Sequence, residues 1–264
     1  MTARPRIFFA LSALAVLGGM LACGSDPNAN ADDAGKVDLG DSASLVDSGT
    51  PENKPIPDAG YPYDGGSVRA DRFATGVVAG SFVPGDCAGF GISGMPGVVE
   101  GPPIGGGTDN GSLDVVSLGN GGSIVLSFGS NAIIDGPGAD FLVFENPFLV
   151  SGGDPTSVFA EPGEVSVSDD GTTWKTFPCT ATKYPYGMCA GWHPVFSSPA
   201  NGISPVDPAV AGGDPFDLKD IGITHARFVR IRDVSHETCP PQPNKVNTNG
   251  FDLDGIAIVN AETP

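Results

Sequence analysis

The stretch DGPGADFLVFENP at residues 135–147 decides the fold. A turn rich in Gly and Pro leads into the apolar run FLVF, which a glutamate and an asparagine follow. In an extended chain alternate side chains share a face, so Phe141, Val143 and Glu145 point one way and the residues between them the other. Both faces are apolar along FLVF, which predicts a central strand of a β-sandwich and not an exposed edge.

The partner of this strand is expected near the C-terminus, in GFDLDGIAIVN at residues 250–260. Alternation there places Asp252 and Asp254 on the face that Ile256 and Ile258 share. Carboxylates at the ends of buried strands need partners, because an unpaired buried charge is costly. We therefore expect either a cation or an arginine among the acids of the two strands.

Structural calcium is the first hypothesis, because calcium takes roughly six to eight oxygen ligands from carboxylates, amides and carbonyls. The predicted metal ligands are Asp140, Glu145, Asn146, Asp252 and Asp254. Backbone carbonyls of the turn at 135–138 would complete the shell. The alternative is a buried ion pair of Arg230 or Arg232 with Asp252 or Asp254, without a metal. Both hypotheses stay open on the sequence alone.

Composition narrows the class of protein. The 264 residues include 39 Gly and 25 Pro, which suits an all-β domain with many turns. The formal net charge is −18, so no basic surface is available for nucleic acid or for attachment to anionic lipid by charge. Acidic surfaces are also common as simple solubilising surfaces, so the charge does not by itself indicate calcium.

The N-terminus has the pattern of a secretory signal. Arg4 and Arg6 precede an apolar run at 7–21 that is too short for a comfortable membrane span. The run ends in MLACGS at 20–25, which resembles the lipobox of bacterial lipoproteins, although Met stands where that family favours Leu. The resemblance implies a signal peptide at 1–22, lipidation of Cys23 and, with Gly following the cysteine, an outer-membrane or cell-surface location. A plain signal peptide cleaved nearby is the alternative.

A change of composition after Cys23 marks the clearest domain boundary. Residues 24–65 hold nine acids against two lysines and lack aromatic residues before Tyr61. Such a segment buries too little apolar surface to offset its chain entropy. We expect a disordered acidic tether at 23–66 and one β-sandwich domain at 67–264.

The strands of that domain are short and separated by Gly, Pro, Asn and Asp. Candidate strands are 74–83, 123–128, 141–146, 164–168, 174–177, 227–233 and 253–260. Within VSVSDDGTTWKTF at 165–177, the Asp169-Asp170-Gly171 sequence predicts a hairpin turn. In 228–233, Val229 and Ile231 alternate with Arg230 and Arg232, so the arginines are expected on the outer face.

Two of these segments carry a resemblance. VSVSDDGTTWKTF and HARFVRIRD look like the paired signature of discoidin-type, galactose-binding-like domains. The fuller set resembles an uncharacterised family of bacterial exported and cell-surface lipoproteins: VVEGPPIGGG (98–107), SLGNGGSIVLSF (117–128), DGPGADFLVFENP, VSVSDDGTTW, GGDPFDL (212–218), FVRIRD and GFDLDGIAIV. The resemblance implies a jelly-roll-like β-sandwich at the cell surface. The ligand loops of discoidin-like domains are not matched, so no ligand residue is carried over.

Four cysteines remain after Cys23 is assigned to lipid, which suits disulfides in an exported protein. They allow three pairings, of which Cys179 with Cys189 and Cys87 with Cys239 is preferred. A zinc site is not expected, because the sequence has no CxxC spacing.

Catalytic motifs are sparse in the chain. It has no GxSxG elbow, and its Gly-rich stretch at 105–107 lacks the lysine of a phosphate loop. Paired carboxylates for glycoside hydrolysis remain an alternative, with Glu145, Glu161 and Glu164 as candidates.

Aromatic residues supply the candidate ligand site. Tyr184, Tyr186 and Trp192 cluster beside His193 in a loop region that Cys179 and Cys189 would pin, and aromatic faces stack on sugar rings. The alternative is that these rings only cover the edge of the core.

Together these features predict a surface-anchored, non-catalytic binding or structural module, with carbohydrate or a cell-envelope glycan as partner and calcium as a structural ion. The alternatives are a polysaccharide hydrolase and a purely structural surface protein.

Overall fold

The computed structural model describes residues 60–63, 66–150, 153–180, 182–236, 239 and 249–264. All of them belong to the compact unit Gly49–Pro264. The predicted signal peptide, Cys23 and most of the predicted tether lie outside the described residues. None of the helices in the described ranges has the length and apolar character that a bilayer crossing needs.

The described residues form sixteen short strands and four short 3-10 helices. The strands are β1 Tyr61–Tyr63, β2 Gly66–Val68, β3 Gly76–Val77, β4 Val116–Ser117, β5 Ser123–Ser127, β6 Ile133–Ile134, β7 Phe141–Phe144, β8 Phe148–Leu149, β9 Val158–Phe159, β10 Gly163–Ser168, β11 Lys175–Thr176, β12 Asp214–Phe216, β13 His225–Ala226, β14 Phe228–Asp233, β15 Asp252–Leu253 and β16 Gly255–Ile258. The 3-10 helices are Ala70–Arg72, Ile92–Gly94, Gly97–Val99 and Leu218–Ile221.

Two antiparallel sheets enclose the main core. One has the order β11-β10-β14-β5-β3 and the other the order β12-β7-β16. Inward-facing side chains of both sheets, such as Val165, Ile231 and Val143, belong to one buried apolar cluster. The prediction of an all-β sandwich is therefore confirmed.

Strand β7 is central, as its sequence predicts. It pairs with β12 on one side and with β16 on the other, where Val143 lies opposite Ile256. Phe141 and Val143 enter the core between the sheets, whereas Leu142 and Phe144 pack in a second buried cluster on the opposite face. The second cluster explains why both faces of this strand are apolar.

The predicted hairpin joins β10 and β11, which are antiparallel. Gly171 has a φ of 72°, and the Asp170 carboxylate accepts hydrogen bonds from the backbone N–H groups of Thr172 and Thr173. In β14 Val229 and Ile231 are fully buried, whereas Arg230 and Arg232, which alternate with them, are not, as expected.

The structure differs from the sequence-based strand assignment at several places, and it adds short strands such as β4, β6, β8, β9 and β13. Only Gly76–Val77 of the segment 74–83 is a strand. Strand β12 is not among the candidate strands; it contains Pro215, which is tolerated there because β12 is an edge strand. Strand β1 lies within the segment assigned to the tether, and Tyr61 packs edge-on against Phe73.

Both preferred disulfides are present. Cys179 pairs with Cys189 across ten residues, and Cys87 pairs with Cys239 across 152 residues. The first closes a loop that contains Tyr184 and Tyr186 and ends three residues before Trp192.

Candidate functional site

Three buried carboxylates meet at one end of the sandwich. Glu145 follows β7, Asp252 begins β15, and Glu161 lies two residues before β10. Each residue offers one carboxylate oxygen, and these oxygens lie within 4.8 Å of one another. Glu145, Glu161 and Asp252 are 1%, 2% and 6% exposed. We call these three residues the acid cluster.

Neighbouring donors hold Asp252 in place. Its carboxylate accepts hydrogen bonds from the Ser117 hydroxyl and from the Asn146 side-chain amide, the latter at 3.3 Å. The same amide donates to the backbone carbonyl of Ser112 at 2.9 Å. Asn146 therefore reaches the acid cluster as predicted, but its amide nitrogen acts as a donor to Asp252.

Glu145 has one bonded and one unbonded carboxylate oxygen. Its Oε1 accepts a hydrogen bond from the backbone N–H of Asp252 at 3.2 Å. Its Oε2 is buried and has no hydrogen-bond partner within the described ranges. Burial raises the pKa of Glu145 well above its usual value, and the carboxylates of Asp252 and Glu161 raise it further. This group must hold a proton or meet a cation.

Asp140, one of the predicted metal ligands, lies outside the acid cluster. It accepts hydrogen bonds from the backbone N–H groups of Gly136 and Leu218 and from the Asn260 amide, at 2.7–2.8 Å. Its carboxylate thus fixes the turn before β7 to the chain near β12. Asp135 and Asp217 lie near it, but its oxygens already have these donors.

Asp254 is also separate from the acid cluster. Both of its oxygens accept from the backbone N–H of Ile104, at 3.2 and 3.0 Å, and burial raises its pKa well above the usual value. It lies at the break between β15 and β16, where strict alternation with Asp252 ends. The predicted five-residue ligand set is therefore not one site.

The arginine alternative is not supported by the arrangement of β14. The guanidinium of Arg230 lies 4.5 Å from the centre of the Trp174 ring and donates to the Ser166 hydroxyl. Arg232 is exposed. Both lie on the outer face of the five-stranded sheet and not beside Asp252 or Asp254.

Asp214 connects the acid cluster to the loop at 184–193, which we call the aromatic loop. It begins β12 opposite Val143, two residues before Glu145, and its charge also raises the pKa of Glu145. Its Oδ2 accepts from the backbone N–H groups of Gly191 and Trp192, at 2.7 and 3.3 Å. Its Oδ1 lies 2.7 Å from Nδ1 of His193.

The aromatic loop brings the predicted ligand residues together. The Trp192 ring lies 5.7 Å from that of Tyr184, 6.1 Å from that of Tyr186 and 3.7 Å from that of His193, measured between centroids. The indole N–H donates to the carbonyl of Cys189 at 2.9 Å. Tyr184 is 37% exposed and the His193 side chain 42%, so this group of rings faces solvent in part.

The aromatic loop packs directly on the acid cluster. Ala190 and Gly163 exchange two backbone hydrogen bonds at 2.9 and 3.0 Å. A Cβ on Gly191 would lie 2.5 Å from the carbonyl oxygen of Glu161, so only glycine permits this approach. The aromatic loop therefore lies against the backbone at Glu161 and Gly163, next to the acid cluster.

Two residues of this site were not assigned to it from the sequence. Glu161 was considered only as a catalytic acid, and Asp214 was seen only as part of the GGDPFDL motif. Asp214 stands between Gly213 and Pro215 inside a resemblance motif, and that is the signal that could have indicated it. Glu161 precedes Pro162 outside all of the quoted motifs, so no sequence signal points to it.

Comparisons with known proteins add little to this picture. No family model matches the chain, and no curated protein matches it either. Among solved structures, a protein titled "Glycoside hydrolase" is similar with 13% sequence identity and a TM-score of 0.24. The similarity covers 57% of this chain and 22% of the length of that protein.

Proposed function

We propose that this protein is an exported, non-catalytic carbohydrate-binding module whose ligand surface is the aromatic loop. The observation that carries the proposal is the grouping of four partly exposed rings within and directly after a loop closed by a disulfide: Tyr184, Tyr186, Trp192 and His193. Aromatic rings offer broad apolar faces with polar edges, which suits the alternating C–H and hydroxyl surfaces of a sugar.

Preorganisation of the aromatic loop supports the same function. The disulfide, the hydrogen bond from the Trp192 indole to Cys189 and the Asp214 carboxylate all restrain the loop before a ligand binds. A restrained loop loses less conformational entropy on binding. The Asp214 carboxylate also holds the Nδ1 side of the His193 ring, which leaves Nε2 for hydrogen bonding to a sugar hydroxyl.

Attachment to the envelope and a structural ion complete the proposal. A lipid on Cys23 would anchor the domain to the outer membrane or cell surface, where the glycan is either the cell's own envelope polysaccharide or an external one. A calcium ion beneath the aromatic loop would have a structural role. It would not itself contact the sugar.

Binding without turnover is favoured over hydrolysis by the burial of the acids. Two-carboxylate hydrolysis needs both groups to reach the scissile bond from a substrate cleft. Glu145 and Glu161 are 1% and 2% exposed, and Glu164 lies on β10 opposite Arg232. The two buried acids are thus better placed to bind an ion than to flank a sugar.

A glycan array probed with the full chain tests this function, with Trp192→Ala as the site variant. Trp174→Ala is the matched control, because that indole stacks under Arg230 on the outer sheet. We expect glycan binding that Trp192→Ala abolishes and Trp174→Ala preserves. Loss with both variants, or no binding by the wild type to any glycan, would contradict the assignment.

A second measurement separates binding from catalysis. Release of reducing ends from bound polysaccharides should stay at background for the wild type. Release that Glu145→Gln abolishes would instead establish the hydrolase alternative.

A further inference from the structure

We propose that Glu145, Glu161 and Asp252 form a binding site for one divalent cation, with calcium as the ion. The proposal specifies and deepens the structural role given to calcium above, and it does not depend on the identity of the carbohydrate. It replaces the ligand set that the sequence suggested, because Glu161 enters and Asp140, Asn146 and Asp254 leave.

The electrostatic repulsion within the acid cluster favours a bound cation. Three carboxylates with oxygens within 4.8 Å of one another are buried at one place, and like charges at that distance repel strongly in a protein interior. Asp252 has hydroxyl and amide donors that stabilise its charged form. These donors compensate only part of the charge of the cluster.

One oxygen of Glu145 also favours a cation, independently of the clustering of the acids. Glu145 Oε2 is buried and lacks a hydrogen-bond partner within the described ranges, although Oε1 of the same group is bonded. A buried acceptor without a partner costs about 1–3 kcal/mol, and more if it is charged. A cation bound at Oε2 would satisfy this atom and the charge of the cluster together.

The chemistry of the ligands suits calcium. Calcium binds oxygen at roughly 2.3–2.6 Å, so two ligands on opposite sides of the ion lie about 4.8 Å apart. The oxygens of the acid cluster fall within that separation. The cluster contains neither Cys nor His, which zinc and copper prefer, and the nearby His193 is bonded to Asp214. Bidentate carboxylates and water would complete the six to eight ligands that calcium typically takes.

An ion in this site would also stabilise the aromatic loop. Glu161 contributes a carboxylate to the cluster, and its carbonyl oxygen lies against Gly191. The ion would also reduce the repulsion between the cluster and Asp214, whose carboxylate binds the N–H groups of Gly191 and Trp192.

Direct calcium binding to the full chain, measured by calorimetry after removal of bound ions, tests the proposal. Glu145→Gln removes a ligand charge and keeps the shape of the side chain. Glu164→Gln is the matched control, because this half-buried glutamate lies three residues after Glu161 and outside the cluster. We expect Glu145→Gln to weaken calcium binding at least tenfold and Glu164→Gln to leave it unchanged.

Thermal unfolding shows whether Glu145→Gln still folds, so that weaker calcium binding is not mistaken for a loss of folding. Glu145→Gln should unfold at a higher temperature than the wild type when calcium is absent, because the neutral amide needs neither a bound proton nor a cation to stay buried. Calcium should raise the unfolding midpoint of the wild type and leave that of Glu145→Gln unchanged. Equal calcium binding by the wild type and Glu145→Gln would place the ion elsewhere, such as in the acidic N-terminal segment, and would overturn the proposal. No binding by the wild type would overturn it as well.

These results are distinguishable from failure of the proposed function. Glycan binding that depends on Trp192 and persists without calcium would leave the carbohydrate assignment intact while the cation site fails. A calcium site without any glycan ligand would give the reverse result.

Discussion

His193 and Asp214 join the aromatic loop to the three-stranded sheet through a contact of 2.7 Å between Nδ1 and Oδ1. Asp214 is 2% exposed and begins an edge strand, whereas His193 lies at the solvent side of the loop. Burial raises the pKa of Asp214, and the hydrogen bond from His193 opposes that rise. One carboxylate thus fixes a surface ring and two backbone N–H groups to the core.

Asp214→Ala should destabilise the protein, because the backbone donors of Gly191 and Trp192 would lose their acceptor in a buried setting. We expect a loss of about 1–3 kcal/mol in the free energy of unfolding, measured by denaturant titration. Asp220→Ala, at an exposed aspartate in a 3-10 helix, is the control and should change stability by less than about 0.5 kcal/mol. Equal effects of the two substitutions would show that Asp214 does not support the loop.

Gly191→Ala tests the contact between the aromatic loop and Glu161. Gly191 has a φ of 89°, and an added Cβ would lie 2.5 Å from the Glu161 carbonyl oxygen. Gly187→Ala is the matched control in the same loop, with a φ of 64° and no atom within 4 Å of an added Cβ. Both variants place a side chain on a left-handed backbone, which is strained in each. The additional clash with the Glu161 carbonyl should lower the free energy of unfolding of Gly191→Ala by about 1–3 kcal/mol more than that of Gly187→Ala. Similar unfolding free energies for the two variants would contradict the close approach.

Removal of the Cys179–Cys189 disulfide should weaken ligand binding through the aromatic loop. The bridge spans ten residues, and a loop of that length contributes about 2–3 kcal/mol in the chain-entropy description. The variant with both cysteines changed to Ala should therefore lose about that much stability and show weaker glycan binding. Unchanged glycan affinity in a folded variant would show that preorganisation by this bridge is unimportant.

Without calcium, stability should fall as pH rises from mildly acidic to neutral. The pKa values of Glu145 and Asp254 are raised in the folded protein, so the folded state binds more protons than the unfolded state above the unfolded pKa of about 4. The free energy of unfolding then decreases with pH, by about 1.4 kcal/mol per pH unit for each extra proton, until the pH passes the folded pKa.

Thermal unfolding of calcium-free protein between about pH 5 and pH 8 measures this slope. Glu145→Gln should reduce it, and calcium should reduce it in the wild type because the ion replaces the proton. An unfolding midpoint that rises with pH across this window would contradict the raised pKa values of Glu145 and Asp254 in the folded protein.

The strand pattern was sufficient to predict the sandwich and its central strand. The alternation of Phe141 to Phe144 and of Ile256 and Ile258 is visible along the chain, and the structure pairs these strands as expected. The burial of Glu145 follows from the same pattern, as does the proximity of Asp252. Local periodicity therefore determines which residues enter the core.

The composition of the acid cluster could not be predicted in the same way. The chain breaks its extended path between Leu253 and Gly255, so Asp254 does not continue the face of Asp252. Glu161 lies outside any strand and Asp214 begins a strand of only three residues, too short for a period to show in the sequence. Only the pairing of distant strands brings them to Glu145. Such contacts depend on which distant strands pair and how they align, and local sequence patterns specify neither.

Hydrogen exchange at the amides of Gly191 and Trp192 tests most directly whether calcium in the acid cluster holds the aromatic loop. Both amides donate to Asp214, so their exchange reports on the connection between the two parts of the site. We predict slower exchange in calcium than in chelator, no such difference in Glu145→Gln, and a smaller change in the β10–β11 hairpin, which serves as the internal reference. Exchange at these amides that is identical with and without calcium, in protein shown to bind the ion, would contradict the account.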